Sequence, residues 1–466
     1  MRETQKAATL LVAGAALLLL TYQVLLRRVN SVKNQENQIL LNSVTSSLSR
    51  PRTLRTEYKV WPAFSTKGKH SKEWYAENCF DGTDMKELEE VFLKWIPKWS
   101  KSAVPDCADL YHEFDQLYEV HHRYTPRLIF PPKHAERVRK WLRGDKELLE
   151  AVHHQTVLHV FQPLTGEHSL YNTVRTKRPR PLVPVNLHEW VDRQANDSLP
   201  TCDFCNFRNM TATDALGRHE TSKTMRVSNT FKVERWHSLV VTRHQHHPLN
   251  FSLDTFVAFL DEANAYIKQI ARTEEEYMYP NLAWDSLYQA GVSVLHPHIH
   301  IMITPDHYYG FYELLRSSGQ RYFDATGRNY FATLLEIHTA LGLTIKYGNA
   351  VAFPTIAGKA DMEIMFLSEE PGEDFYRLIF YTVEAYHDTY TQLCKGFSAS
   401  YPPQGDSEAA RVGRIPVIAR LISRGDCTSP RTDYTTYEIF QIVERYHDPW
   451  DVARAIRRSI EKHDKA

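Results

Sequence analysis

The sequence predicts an α+β protein: two related halves of antiparallel sheet flanked by helices, behind an N-terminal membrane anchor and a helical region. Three observations lead there. An apolar run fills Ala7–Leu26, helical spacing of apolar residues marks residues 81–154, and beyond His159 short β-branched runs alternate with long helices twice over.

Taken in order, residues 1–30 hold the anchor. Only Thr9, Thr21, Tyr22 and Gln23 interrupt the apolar run, which reaches the roughly 20 residues a membrane-crossing helix needs. A signal peptide is the competing reading, but its apolar region is shorter and a small-residue cleavage site should follow. Here Leu25-Leu-Arg-Arg28 follows instead. Flanking charges lean towards a cytosolic body, whereas sequons at Asn196, Asn209 and Asn250 favour the lumen of the ER or Golgi. The lumenal orientation is the expectation. Residues 31–80 are polar and read as a stem. Within 81–154, Leu88, Val91, Phe92 and Trp95 recur at helical spacing, as do Val138, Trp141 and Leu142.

Residues 155–345 form the first half. Ser238–Thr242 reads as a strand, and Ser252 caps a helix with Phe256, Phe259, Leu260, Ala263, Ile267 and Ile270 on one face. A strand over Val292–Thr304 closes it. Residues 346–466 repeat the order: strands at Ala350–Pro354 and Met362–Leu367, a helix over about 374–393, and a strand at Ile415–Ser423.

Lys and Arg total 56, as do Asp and Glu, so no global field favours nucleic acid, and phosphate binding must come from local geometry. The six cysteines permit disulfides without specifying their connectivity.

The chemistry concentrates in Ala290-Gly-Val-Ser-Val-Leu-His-Pro-His-Ile-His300. On a strand, alternate side chains share a face, so His296, His298 and His300 stand together over an apolar, buried face of Leu295, Pro297, Ile299 and Ile301. Pro297 cannot donate to a ladder, which places the strand at an edge or a bulge. Three imidazoles suit either metal binding or attack on phosphorus, and the Gly291–Ser293 lead-in suits a phosphate.

This segment resembles the signature of the histidine-triad superfamily, and its His-Pro-His start resembles the galactose-1-phosphate uridylyltransferase branch. The resemblance implies a nucleotide sugar and a sugar phosphate as partners, His298 as nucleophile and His296 as a zinc ligand; it also allows a homodimer. Phe161-Gln-Pro-Leu-Thr-Gly-Glu167 and Val174-Arg-Thr-Lys-Arg-Pro179 resemble the family's opening strands, with Arg175 and Arg178 facing the phosphates. Cys202-Asp-Phe-Cys205 resembles a zinc half-site, although such a pair can also close as a disulfide. The remaining ligand is expected from Arg243-His-Gln-His-His247; counting from the helix favours His244, with His246 and His247 as alternatives. Asn229-Thr-Phe231 resembles a nucleotide-binding segment in which Thr230 replaces an aspartate. The motifs span roughly residues 155–370.

Two positions depart from the family. His300 stands where the uridylyltransferases have glutamine and the hydrolase branches have histidine. Asp285 stands where an asparagine contacts the nucleotide phosphate, and an ionised carboxylate there repels a phosphate unless protonated or paired. A histidine-triad hydrolase and a non-catalytic protein of the same fold are the alternatives to a transferase.

Overall fold

The computed structural model describes residues 57–177, 185–428 and 442–465. Its elements run α1 (Lys72–Cys79), α2 (Pro105–Leu117), β1 (Glu119–Tyr124), α3 (Pro132–Trp141), β2 (Thr156–Gln162), β3 (Glu167–Tyr171) and α4 (Leu187–Ser198). Next come β4 (His219–Glu220), β5 (Thr224–Ser228), β6 (Trp236–Thr242), α5 (Leu253–Thr273), β7 (Tyr279–Asp285), β8 (His298–Thr304), α6 (Gly310–Thr326) and α7 (Tyr330–Ala340). The chain closes with β9 (Ile345–Tyr347), β10 (Ala350–Pro354), β11 (Ile364–Ser368), α8 (Glu373–Tyr390), β12 (Lys395–Ser400), β13 (Val417–Ser423), β14 (Ile442–Arg445) and α9 (Pro449–Asp464).

The fold is α+β, and the two halves meet within one sheet. Ten strands lie in the order β4-β5-β6-β8-β7-β12-β13-β11-β10-β9, every neighbouring pair antiparallel. Five strands come from each half in mirrored order, with α5 joining β6 to β7 and α8 joining β11 to β12. Strands β7 and β12 join the halves through the register Trp284↔Phe397 and Ala283↔Ser398.

Each face of the sheet has its own character. One row across it reads Ser238, Ile301, Leu282, Ala399, Ala419 and Phe366, all buried. Helices α5 and α8 cover this face. Phe256 of α5 meets Phe380 of α8 at 5.6 Å and Trp284 of β7 at 6.0 Å between ring centroids. The Ser252 cap forms as its sequence indicates, accepting from the Thr255 N–H at 3.3 Å, and all six expected apolar positions of α5 are buried. The next row, on the opposite face, reads Leu239, His300, Ala283, Ser398, Arg420 and Met365.

Four expectations need correction. Residues 58–80 are not a stem but part of the packed body: the Trp61 indole donates to the Arg414 carbonyl at 2.7 Å, and Phe64, Tyr75 and Phe80 are buried. The helical region also contributes β1 to a separate four-stranded sheet, β1-β2-β3-β14, whose last strand returns from the C-terminal half and pairs parallel with β3. Buried Arg420 ties this sheet to the larger one through ion pairs of 2.7 Å to Glu167 of β3 and 2.7 Å to Glu363. Finally, the histidine strand begins at His298, not Val292, and lies inside the sheet. Pro297 sits just before it, where no ladder donor is needed.

Disulfides join Cys79 to Cys107 and Cys394 to Cys427, with Cα–Cα distances of 5.6 and 5.7 Å. Among the described residues no helix is long and apolar enough to cross a membrane, and the run Ala7–Leu26 lies outside them. Asn196, Asn209 and Asn250 are all exposed.

Candidate active site and metal centre

The Cys202–Cys205 segment is a tight turn, the Cys205 N–H donating to the Cys202 carbonyl at 3.1 Å, and it lies against the entry to β8. Four possible ligand atoms from Cys202, Cys205, His246 and His296 lie within 4.8 Å of one another. His296 Nδ1 is 3.6 Å from Cys202 Sγ and 3.5 Å from Cys205 Sγ, while His246 Nδ1 is 3.4 Å from Cys205 Sγ. A tetrahedral zinc with its usual bond lengths gives sulfur–nitrogen edges of about 3.6 Å.

The second nitrogens support the same reading. His296 Nε2 lies 2.7 Å from the Thr242 carbonyl, and His246 Nε2 lies 3.0 Å from the Ala195 carbonyl. A carbonyl can only accept, so both protons sit on Nε2 and both Nδ1 lone pairs face the thiols, as metal-binding imidazoles require. Burial pushes His296 down to about 4, which keeps it neutral, whereas burial and adjacent Cys202 push the Cys205 thiol up to about 12. A Cys205 thiol so disfavoured as a thiolate calls for a cation if it is to bind as one. The residues therefore fit zinc.

His244 is corrected here. It is exposed, while His246 joins the cluster. The Thr242 hydroxyl donates to the Gln245 carbonyl at 2.7 Å, folding the chain back so that His246 turns under α4.

His298 and His300 stand side by side with ring centroids 5.1 Å apart, and Phe204 of the cysteine turn lies 5.1 Å from His298. His298 Nδ1 lies 2.8 Å from the His296 carbonyl, which fixes the proton there and leaves the lone pair on Nε2. Burial first, then neighbouring His300, pushes His298 down to about 4, so the ring is neutral at ordinary pH. Burial also lowers His300.

Sequence reasoning missed His237. It lies on β6 opposite Met302, on the same face as His300, and its Nε2 is 3.0 Å from His300 Nδ1. The Val233 N–H donates to His237 Nδ1 at 3.2 Å. The overlooked signal was strand alternation, which sets His237 in line with Leu239 and Val241.

The other expected residues divide. Asn229 reaches this network, its Nδ2 lying 3.0 Å from His237 Nε2, and its Oδ1 accepts from the Phe231 N–H at 2.8 Å. Ser293 is exposed on the turn before the strand. The Gly291 N–H does not face a ligand but donates to the carbonyls of Leu287 and Tyr288 at 3.2 and 3.1 Å. Asp285 ends β7, and burial pushes its carboxyl up to about 6 despite the nearby Arg424 charge. Arg175 sits beside the smaller sheet, paired with Glu444, and lines a cavity of about 250 Å³ with Phe130 and Trp141. Arg178, expected beside it against substrate phosphates, lies outside the described residues.

No protein-family model matches the chain, and no curated protein matches it. Among solved structures it is similar to an ADP-glucose phosphorylase from Arabidopsis thaliana with bound ADP-glucose, at 15% identity over 64% of this chain and 98% of that one, with a TM-score of 0.49. It is similar to a GalT-like protein from Arabidopsis thaliana at 16% identity over 55% and 91%, TM-score 0.44. A uridylyltransferase is similar at 14% identity over 66% and 99%, TM-score 0.44.

Proposed function

We propose that this chain moves a nucleoside monophosphate, by resemblance UMP, between a nucleotide sugar and a sugar 1-phosphate through a nucleotidyl group on His298. One observation carries the reading: the His296 carbonyl holds the His298 proton on Nδ1, leaving Nε2 as a neutral nucleophile. Nε2 attacks the α-phosphorus, the P–N bond forms as the P–O bond to the sugar phosphate breaks, and the electron pair leaves on that oxygen. The ring becomes positive, and its hydrogen bond to the His296 carbonyl strengthens accordingly. An oxygen of the second sugar phosphate then attacks the same phosphorus, the P–N bond breaks, and His298 returns neutral.

Exposed Ser293 offers a hydroxyl to the phosphate. Phe231, 86% exposed beside Asn229, offers a flat ring to a base. Zinc held by Cys202, Cys205, His246 and His296 would supply rigidity to the cysteine turn and the strand entry. A hydrolase is the second reading, favoured by His300: an imidazole can pass a proton to a leaving group or take one from water, which glutamine cannot. Two disulfides together with the N-terminal apolar run support a membrane-tethered body in an oxidising lumen.

The test is capture of the intermediate. Incubation with UDP-glucose or ADP-glucose should leave an acid-labile, alkali-stable nucleotide on His298, located by mass spectrometry. His298→Ala should lose both adduct and turnover. Wild-type turnover in that variant would defeat the covalent mechanism.

A further inference from the structure

The smaller sheet gathers histidines that neither the cysteine-containing centre nor the nucleotide site uses. Its ladders set His121 of β1 directly opposite His159 of β2, and His168 of β3 one diagonal step away, opposite Phe161. Alternation puts Glu119, His121 and Arg123 on one face with His159, Phe161 and His168. Leu158, Val160 and Ser169 turn to the other face and are buried. The histidine face is open: His159 and His168 are half-buried, and His121 is exposed.

The two half-buried rings meet nitrogen to nitrogen, His159 Nδ1 lying 3.0 Å from His168 Nε2. Metal–imidazole bonds of about 2.0–2.1 Å hold two nitrogens about 2.9 Å apart at a right angle and about 3.3 Å apart at the tetrahedral angle. The observed edge is the right-angled one, which suits a square-planar ion such as Cu2+. His121 supplies a third imidazole, since directly opposed side chains on neighbouring strands lie within reach of each other. Its Nε2 is 3.6 Å from Glu119 Oε2, and the two side chains are 55% and 52% exposed, so each is free to turn onto an ion at the pair. A hydrogen bond between the two rings accounts for their contact alone; the third imidazole and the carboxylate beside it complete a set of three nitrogens and one oxygen. Burial, then the charge of Arg123, pushes His159 down to about 4 and lowers His168, which leaves both rings neutral, as ligands must be. Arg123 opposes a cation here, and the Glu119 carboxylate offsets it.

We propose that His121, His159 and His168, with Glu119 as the oxygen donor, form a surface site for a divalent copper ion, separate from the cysteine-containing centre. Strand β1 lies at the edge of its sheet and belongs to the helical region, so an ion held there staples that region to β2 and β3. No residue of the nucleotide site takes part, and the two readings stand or fall separately.

The experiment is titration of the full chain, as purified, with Cu2+, followed by electron paramagnetic resonance. The wild type should give a tetragonal signal with hyperfine coupling to three imidazole nitrogens. His121→Ala and His168→Gln should each weaken binding by about tenfold or more and remove one nitrogen from the pattern. His112→Ala, which removes an exposed histidine on α2, should change neither. Copper should also raise the Tm of the wild type but not that of the variant carrying both His121→Ala and His168→Gln. Wild-type affinity and spectrum in that double variant would place the ion elsewhere and overturn the proposal, as would a wild type that shows only the spectrum of hydrated Cu2+. Should the double variant fail to fold, His121→Ala decides, because that side chain is exposed: unchanged affinity and an unchanged nitrogen pattern overturn the site.

Discussion

His237 Nε2 and His300 Nδ1 lie 3.0 Å apart, and the backbone N–H of Val233 holds His237 in turn at 3.2 Å. That chain of three groups orients His300 without His237 touching the reacting atoms. His237→Phe should therefore lower kcat by about 10–100-fold, the usual cost of losing such an orienting partner, with little change in KM. His237→Gln can still donate to His300 and should recover part of the loss. Equal losses in both variants would reduce His237 to a packing residue.

The metal centre makes a second prediction. Purified protein should contain one zinc per chain, and Cys202→Ser or prolonged chelation should lower Tm by about 5 °C or more. His246→Ala should reproduce the metal loss, whereas His244→Ala should not, because His244 is exposed. Recovery of Cys202 and Cys205 as a disulfide in active protein would rule out the metal.

Acid should destabilise the fold. Burial leads the effects that push His159, His237, His298 and His338 down to about 4, while unfolded histidines titrate at about 6.5. Between those values the unfolded chain binds more protons, so stability falls as pH drops from about 6.5 towards 4. Asp285 and Asp448, pushed up to about 6 by burial, act in the opposite sense over about pH 6 to 4, as do Glu113, Asp261 and Glu384, which burial also raises. The histidines that burial lowers, His122, His168, His300 and His387 among them, outnumber these carboxyls. Denaturant midpoints measured across this range should decline, and His338→Leu should flatten the slope. A midpoint that rises on acidification would contradict the histidine accounting.

Much of the architecture was legible because its causes are local. The Ser252 cap, the apolar face of α5, and the alternation that buries Ile299 and Ile301 under the histidines are written in neighbouring residues. The half-site of Cys202 and Cys205 is equally local. What stayed hidden depends on distant partners. His246 replaces His244 because a turn at Thr242 and Gln245 redirects the chain towards α4. The sequence could not disclose that Cys79 meets Cys107, nor that Trp61, in a polar stretch, anchors on Arg414. Nor does the pairing of β7 with β12 leave a local mark, since neither strand carries a signal for its partner.

That pairing yields the last prediction. Two halves of similar element order suggest two separable domains, but the sheet runs through their junction. Trp284 of β7 and Phe397 of β12 are cross-strand partners with ring centroids 6.3 Å apart, buried against Phe256 of α5. Cutting the chain between the halves would leave β7 and β12 as unpaired edge strands, a known route to aggregation. It would also strip aromatic surface from α5 and α8. Fragments 155–345 and 346–466 should each therefore be insoluble or lack cooperative unfolding. In the intact chain Phe397→Ala should cost about 3–5 kcal/mol, as for other buried phenylalanines, and lower the stability of both halves together. Calorimetry should show one transition spanning both halves, and hydrogen exchange should show β8 and β11 losing protection in parallel. Two resolved transitions, with Phe397→Ala moving only the later one, would mean that the continuous sheet does not couple the halves.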